Sequence, residues 1–327
     1  MLELAIETLI KGLILILILF GLAAYMTFCE RVVMARMQLR LGPNRVGPLG
    51  LLQPIADGIK LFFKESFTPA NAESLIFWIA PGISVFIALS LFVLIPFGEP
   101  IELWGRKINL WIADVNAGIV LILALSSLAV YGVVLAGWSS NNRYSLLGGL
   151  RGTAQMISYE IPMGISLLTV ILAAGTLSLP EIVEKQRDHW FLWTNPIGFM
   201  VYLITAFAET NRAPFDLPEA EQELTAGYHT EYGGLRFAAF FLAEYVNILA
   251  VSSIATTLFL GGWLGPGNIP FVWFFLKVAV LVFLFMWVRA AMPRFRFDQL
   301  MQFGWKILIP LATINLIITA YFEVAWN

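Results

Sequence analysis

Ionisable side chains set into apolar stretches are where this sequence carries its chemistry. Glu30 ends the first such stretch, Asp114 opens the third, Glu160 opens the fourth, Glu209 ends the fifth, Glu244 lies inside the sixth and Lys277 inside the seventh. A charge at the centre of a bilayer costs about 2.5 to 3.5 kcal/mol on insertion scales, so each needs a partner, a wet cavity or a bound proton. Acids concentrate again between Glu209 and Arg236, where Glu209, Asp216, Glu219, Glu221, Glu223 and Glu231 face only Arg212 and Arg236. Burial and like-charge crowding raise the proton affinity of such carboxyls toward neutrality, which is what proton exchange near pH 7 requires. Two plainer readings compete: interhelical hydrogen bonding by protonated acids, and a solvated acidic loop. For the set as a whole, a relay is favoured. It would run inward from the loop through Glu160, Glu209 and Glu244, with Lys277 approaching from the opposite side.

These residues need elements to hold them. Asp216 and Glu219 have capping-box spacing around Pro218, and Gly227 is placed to close a helix, so the spacing predicts a short helix over 218–226. Upstream, Gly42-Pro43 and Gly47-Pro48 demand turns, after which residues 51–65 take up helical periodicity. Leu52, Ile55, Ile59 and Phe62 form one stripe and Gln53, Asp57, Lys60 and Lys64 the opposite one, the pattern of a helix lying in the interface plane. Asp57 with Lys60 reads as an ordinary surface pair. Arg294, Phe295, Arg296, Phe297 and Asp298 alternate charge with aromatic rings and suit the wall of an amphipathic pocket, whereas Arg289 and Lys306 read as topological anchors.

Composition fixes the class. The 327 residues are 59% hydrophobic and 13% charged, with a mean hydropathy of +0.80, too apolar for a soluble domain. Apolar runs near the length of a spanning helix occur at about 10–28, 75–96, 115–137, 160–177, 193–209, 237–262, 270–290 and 304–325. The expectation is therefore an all-α integral membrane protein of about eight transmembrane helices in one polytopic domain. No charged n-region precedes a small-residue cleavage site, so the first span reads as retained. The loops at about 30–74, 138–159, 210–236 and 291–303, with Arg289 just before and Lys306 just beyond the last, carry fourteen Lys and Arg, against four in the alternate loops. The positive-inside rule puts the richer set in the cytoplasm and both termini on the far side. The acidic loop then faces a compartment where a soluble partner can reach it.

Cys29 is the single cysteine, and His189 and His229 are the only histidines. Thiolate-ligated clusters need about four Cys and a bis-His haem needs two imidazoles at membrane depth. Neither set exists, both histidines read as surface residues, and no GxGxxG, P-loop or HExxH pattern occurs. No metal, redox centre or nucleotide is expected on this chain, and no nucleic-acid partner. Visible internal repeats are lacking too, which weighs against a stand-alone ion or proton transporter.

The runs GLLQPIADGIKLFFKE (50–65) and PFDLPEAEQELTAG (214–227), together with RLGPNRVGP, WSSNNRYSLLG and PRFRFDQLMQFGWK, resemble the H-subunit family of NADH:quinone oxidoreductase, respiratory complex I. The resemblance extends from about Cys29 to Lys306. It implies an all-helical membrane component at the heel of the complex, joining the electron-transfer arm to the membrane arm and forming the quinone opening and much of the chamber floor. On that resemblance Glu30, Arg31, Asp57, Arg294, Arg296 and Asp298 border the quinone path. It further implies that Glu160, Glu209, Asp216, Glu219, Glu221, Glu223 and Glu244 connect the chamber to the proton route. Flavin mononucleotide and iron-sulfur clusters belong, by the same resemblance, to partner subunits; quinone is the substrate, and lipid surrounds the chain. The location implied is the bacterial inner (plasma) membrane, ahead of the mitochondrial inner membrane. One departure stands out: many relatives follow the Glu that ends the first span with two Arg, and this chain has Arg31 then Val32. Membrane anchors of membrane-bound hydrogenases and formate hydrogenlyases are the second reading, against which the full GPNRVGP turn and the complete acidic loop count.

Overall fold

The computed structural model describes residues 2–103, 106–219, 225–267 and 269–326. Helices α1 (Leu2–Met37), α2 (Gln53–Phe63), α3 (Ser74–Leu91), α4 (Gly118–Ser139) and α5 (Arg143–Ala174) make the first half. Short α6 (Leu179–Lys185) and α7 (Phe191–Thr194), then α8 (Pro196–Glu209), α9 (Gly234–Phe259), α10 (Pro270–Ala291), α11 (Phe297–Phe303) and α12 (Ile309–Trp326) complete it. A π-helical turn at Gly304–Leu308 fuses α11 to α12. The only described strands, β1 (Ile101–Leu103) and β2 (Arg106–Ile108), form a small antiparallel hairpin.

Seven of the described helical segments are long and apolar enough to cross a membrane, and α8 is an eighth apolar helix of 14 residues. At 1.5 Å per residue α8 spans about 21 Å, short of the ~30 Å hydrocarbon core. Its shortness is local: Asn195 Oδ1 accepts the Gly198 N–H at 3.0 Å and Pro196 follows at the first position, so the helix starts later than the apolar run beginning at 193. The chain is thus an all-α multi-pass membrane protein. Its outward faces agree, since Leu9, Leu13 and Leu17 of α1 and Ile314, Ile317 and Tyr321 of α12 are exposed, as suits a protein whose outer solvent is lipid.

The stretch from 138 to 159, expected as a loop, is mostly helix. Asn142 caps α5 by accepting the Tyr144 N–H at 3.0 Å, and the helix runs unbroken for 32 residues. Gly148, Gly149 and Gly152 weaken its sequence signal but serve packing: Gly149 Cα lies close enough to Gly137 of α4 that a side chain at Gly137 would come within 3.2 Å of it. Glu160 consequently sits midway along a helix rather than at its start, and Glu30 lies within α1 rather than at its end. Helices α3, α4, α5, α8 and α9 form the packed centre, with α12 against α5 and α8, and α1 and α10 against α9.

The acidic segment folds onto this centre. Gln155 Nε2 donates to the carbonyls of Ala208 at 2.7 Å and Phe215 at 2.8 Å, and Ser145 Oγ donates to Tyr228 O at 2.8 Å. Gly227 has φ 58° and is so close to the preceding turn that a Cβ there would fall 1.7 Å from Pro218 O. Of the helix expected over 218–226, residues 220–224 lie outside the described residues, and with them Glu221 and Glu223.

Candidate functional site

Arg212 is the centre of the buried charge. It is 5% exposed, with Nη1 donating to Glu244 Oε1 of α9 at 2.6 Å and Nη2 to Glu30 of α1. Arg289 of α10 donates to the other oxygen of Glu30, and Tyr245 Oη donates to Glu30 Oε2 at 2.6 Å while its ring lies 4.6 Å beneath the Arg212 guanidinium. Two carboxylates and two guanidiniums balance one another across three helices and the loop. Isolating either charge here would cost several kcal/mol, so each group holds the others in place. Glu30, read as a quinone-bordering residue, and Glu244, read as a coupling acid, are therefore bridged by one side chain. Arg289, read as an anchor, is a partner of buried Glu30 instead, and Arg212 and Tyr245 were not singled out at all.

A second group lies on the same loop. Arg294 Nη2 donates to Asp216 Oδ2 at 2.8 Å, and Asp216 Oδ1 is buried with no hydrogen-bond partner among the described residues. Burial pushes the Asp216 carboxyl up to about 7, with the charge of Glu219 adding to it and Arg294 and Arg289 opposing. Glu219 lies 3.4 Å from His229 Nε2. Burial acts to raise its proton affinity, but His229, Arg212 and Arg289 outweigh this and hold the carboxyl below its ordinary range. Adjacent acids so pushed apart, one holding its proton near neutrality and one ionised, suit proton transfer. His229, expected at the surface, is 6% exposed, walled edge-on by Tyr228 and Phe237. Aromatic residues at 228, 237, 240 and 241 on both sides of it were the available signal.

Glu219, Glu244 and Glu209 line one cavity of about 60 Å³, shared with Asn211, Tyr228 and Asn247. A space of that size has room for water beside these carboxylates, since one water needs roughly 10–15 Å³ on this measure. Glu209 also borders a smaller void with Ser126 and Tyr202, and its Oε2 has no hydrogen-bond partner among the described residues. Glu160 of α5 accepts from Ser127 of α4, one residue along from Ser126. The structure therefore brings Asp216, Glu219, Glu244 and Glu209 together, with Glu160 behind them.

The remaining candidates are more open. Arg31 Nη1 pairs with Asp57 Oδ2 at 2.6 Å, and Gln53 Nε2 donates to Asp57 Oδ1 at 3.0 Å, so Asp57 ties α2 to α1 rather than pairing with Lys60. The α2 stripe of Leu52, Ile55, Ile59 and Phe62 is exposed. Arg296 grips Asp298 through Nε at 2.5 Å and Nη2 at 2.6 Å, and this contact holds the exposed Asp298 carboxyl down at about 2. Lys277 stands apart from the carboxylates. Its Nζ donates to the carbonyls of Leu260 at 2.6 Å, Gly262 at 3.0 Å and Leu264 at 2.5 Å, capping the C-terminal end of α9 against the Trp190 ring. Glu244 and Leu260 are sixteen residues apart on α9, about 24 Å.

Among the described residues no group of three or more His, Cys, Asp or Glu is arranged to hold a metal ion. A family model described as NADH dehydrogenase matches residues 10–320. The NADH-quinone oxidoreductase H subunit of Protochlamydia amoebophila is 75% identical over 303 residues, covering 93% of both chains. H subunit 1 of Geobacter metallireducens is 51% identical over 320 residues, 98% of this chain and 97% of that one. The H subunit of Thermomicrobium roseum is 52% identical over 318 residues, 94% and 93% of the two chains. The match spans every element that builds the buried charge cluster, and the chain belongs to the H-subunit family of NADH-quinone oxidoreductase.

Proposed function

We propose that this chain floors the quinone chamber of a proton-translocating NADH-quinone oxidoreductase and couples quinone reduction to proton transfer. The observation that carries the reading is the sequence of contacts from Arg294 and Asp216 through Glu219 into the cavity shared with Glu209 and Glu244. In this reading Arg31 with Asp57 and Arg296 with Asp298, two ion pairs outside that cavity, are the quinone-facing groups. Electrons come from clusters in partner subunits; this chain moves charge by protons alone. When quinone is reduced and takes up protons beside Asp216, the shared proton of the acidic pair redistributes, because neighbouring carboxylates titrate together. The change in charge reaches Glu244 and, through Arg212, the α1, α9 and α10 contacts at Glu30. Buried ion pairs with two balanced arrangements bias helix positions, which is how a local protonation acts at a distance. Lys277 lies off this route in our reading. The partners are the other subunits of the complex, quinone and lipid, and the location is the inner membrane of a bacterial cell. The hydrogenase-anchor reading loses ground to three relatives that are all named as NADH-quinone oxidoreductase subunits.

The test is Glu219→Gln and Glu244→Gln in the intact complex. Quinone-reductase turnover is expected to fall by about a hundredfold, the lower end of what a positioned proton-transfer group contributes. Electron input to ferricyanide, which bypasses quinone, should hold. Undiminished quinone turnover in both variants would end the coupling role.

A further inference from the structure

A second cavity lies away from the buried carboxylates. It is a groove of about 440 Å³ between α1, α9, α10, Phe92, Phe97 and residues 109–112, within the size range of ligand pockets. Its length follows α1 from Lys11 to Met26, fifteen residues or about 22 Å, somewhat more than one leaflet of a ~30 Å hydrocarbon core. Side chains such as Ile18, Leu22, Phe275 and Val282 make its walls apolar, and Lys11, the lining residue of α1 farthest from Glu30, marks its charged end. That end is on the face opposite the acidic loop, since Lys11 is nineteen residues, about 28 Å, from Glu30. The ammonium of Lys11 is paired with Glu7 at 2.6 Å, and both side chains remain partly exposed. Of the α1 side chains that line it, Ile14, Ile18 and Leu22 are exposed, so the groove opens sideways to lipid rather than to water.

We propose that this groove is a phospholipid site, taking one acyl chain along α1 from the leaflet opposite the acidic loop with the lipid phosphate on Lys11. The polarity of the site matches that of the ligand: a cation where a headgroup lies, hydrocarbon along the rest. An isoprenoid tail would fill the same hydrocarbon length but has no anion for Lys11. A helix of another subunit would cover the groove without entering it. Glu7 competes with the phosphate for Lys11, so the two side chains have opposite effects on binding.

The intact purified complex is incubated with phosphatidylglycerol carrying a diazirine in one acyl chain, illuminated, and mapped by peptide mass. Label is expected on residues 14–26 and 271–282, the two walls of the groove. Lys11→Gln should reduce it about fivefold, the equivalent of roughly 1 kcal/mol for one lysine at an anionic surface. Glu7→Gln should raise it. Ala279→Trp, which fills the groove, should remove it while quinone-reductase turnover reports that the complex is assembled. Labelling indifferent to both Lys11 and Glu7 would overturn the proposal. So would displacement of the probe by a phosphate-free polyprenol, or a lack of label on these peptides with label on another subunit in its place.

Discussion

Asp216 and Arg212 carry opposite burdens within a few residues of one another. Asp216 holds its proton up to about pH 7 because burial and Glu219 together outweigh Arg294 and Arg289. Below that pH it is neutral; above it, it is an anion facing Arg294. Quinone-reductase turnover should therefore show an inflection near pH 7. Asp216→Asn, which has no proton to release at any pH, should lower turnover on both sides of pH 7 and lack the inflection. Arg212→Gln would leave Glu30 and Glu244 without their shared cation, a loss of about 3–5 kcal/mol for a broken buried pair, measurable as a lower unfolding temperature of this chain within the complex. The sequence marked the acids because a carboxyl inside an apolar run is conspicuous by itself. It did not mark their partners. Glu30 meets Arg212 across 182 positions and Arg289 across 259, and nothing local distinguishes these arginines from the basic residues that flank any span. His229 was misplaced for a related reason: it stands in a polar segment, and Tyr228, Phe237 and Phe241 signal its burial only through the turn that folds them over it.

Elements were legible where periodicity was strong and obscure where packing substituted for propensity. The interfacial α2 follows directly from its two stripes, and the long apolar helices from their length. Polar, glycine-rich 138–159 read as loop because Gly lowers helix propensity by up to about 1 kcal/mol per residue, yet these glycines let α4 and the acidic segment lie against α5. Gly148 is the sharpest case, since a Cβ there would meet Gly227 Cα and Tyr228 N at 2.7 Å, both backbone atoms. Gly148→Ala should push the acidic segment off α5 at a cost of about 1–3 kcal/mol, typical of overpacking. Quinone turnover should drop and ferricyanide reduction persist. Gly164→Ala, with open space around the added methyl, is the matched control and should behave as the parent.

Across the whole molecule, charge placement and the apolar helices predict a chain whose acidic loop, α2 and α11 share one face. Cysteine labelling at Asn71, Thr225 and Gln302, in a Cys29→Ser background, should report the same compartment at all three; opposite reactivity at Thr225 would take the acidic segment away from the quinone side. Seven of the eight expected spans were readable from hydropathy alone, whereas the centre of the molecule was not, because it depends on which helices α9 brings together. The most direct measure of coupling is the number of protons moved per quinone reduced in inverted membrane vesicles carrying Glu209→Gln. Glu209 joins two spaces, bordering both the shared cavity and the void beside Ser126 and Tyr202. The variant keeps size and hydrogen bonding but cannot carry a proton, so pumping should fall by about tenfold or more with ferricyanide reduction intact. Pumping at the parental ratio would contradict a proton route through these carboxylates.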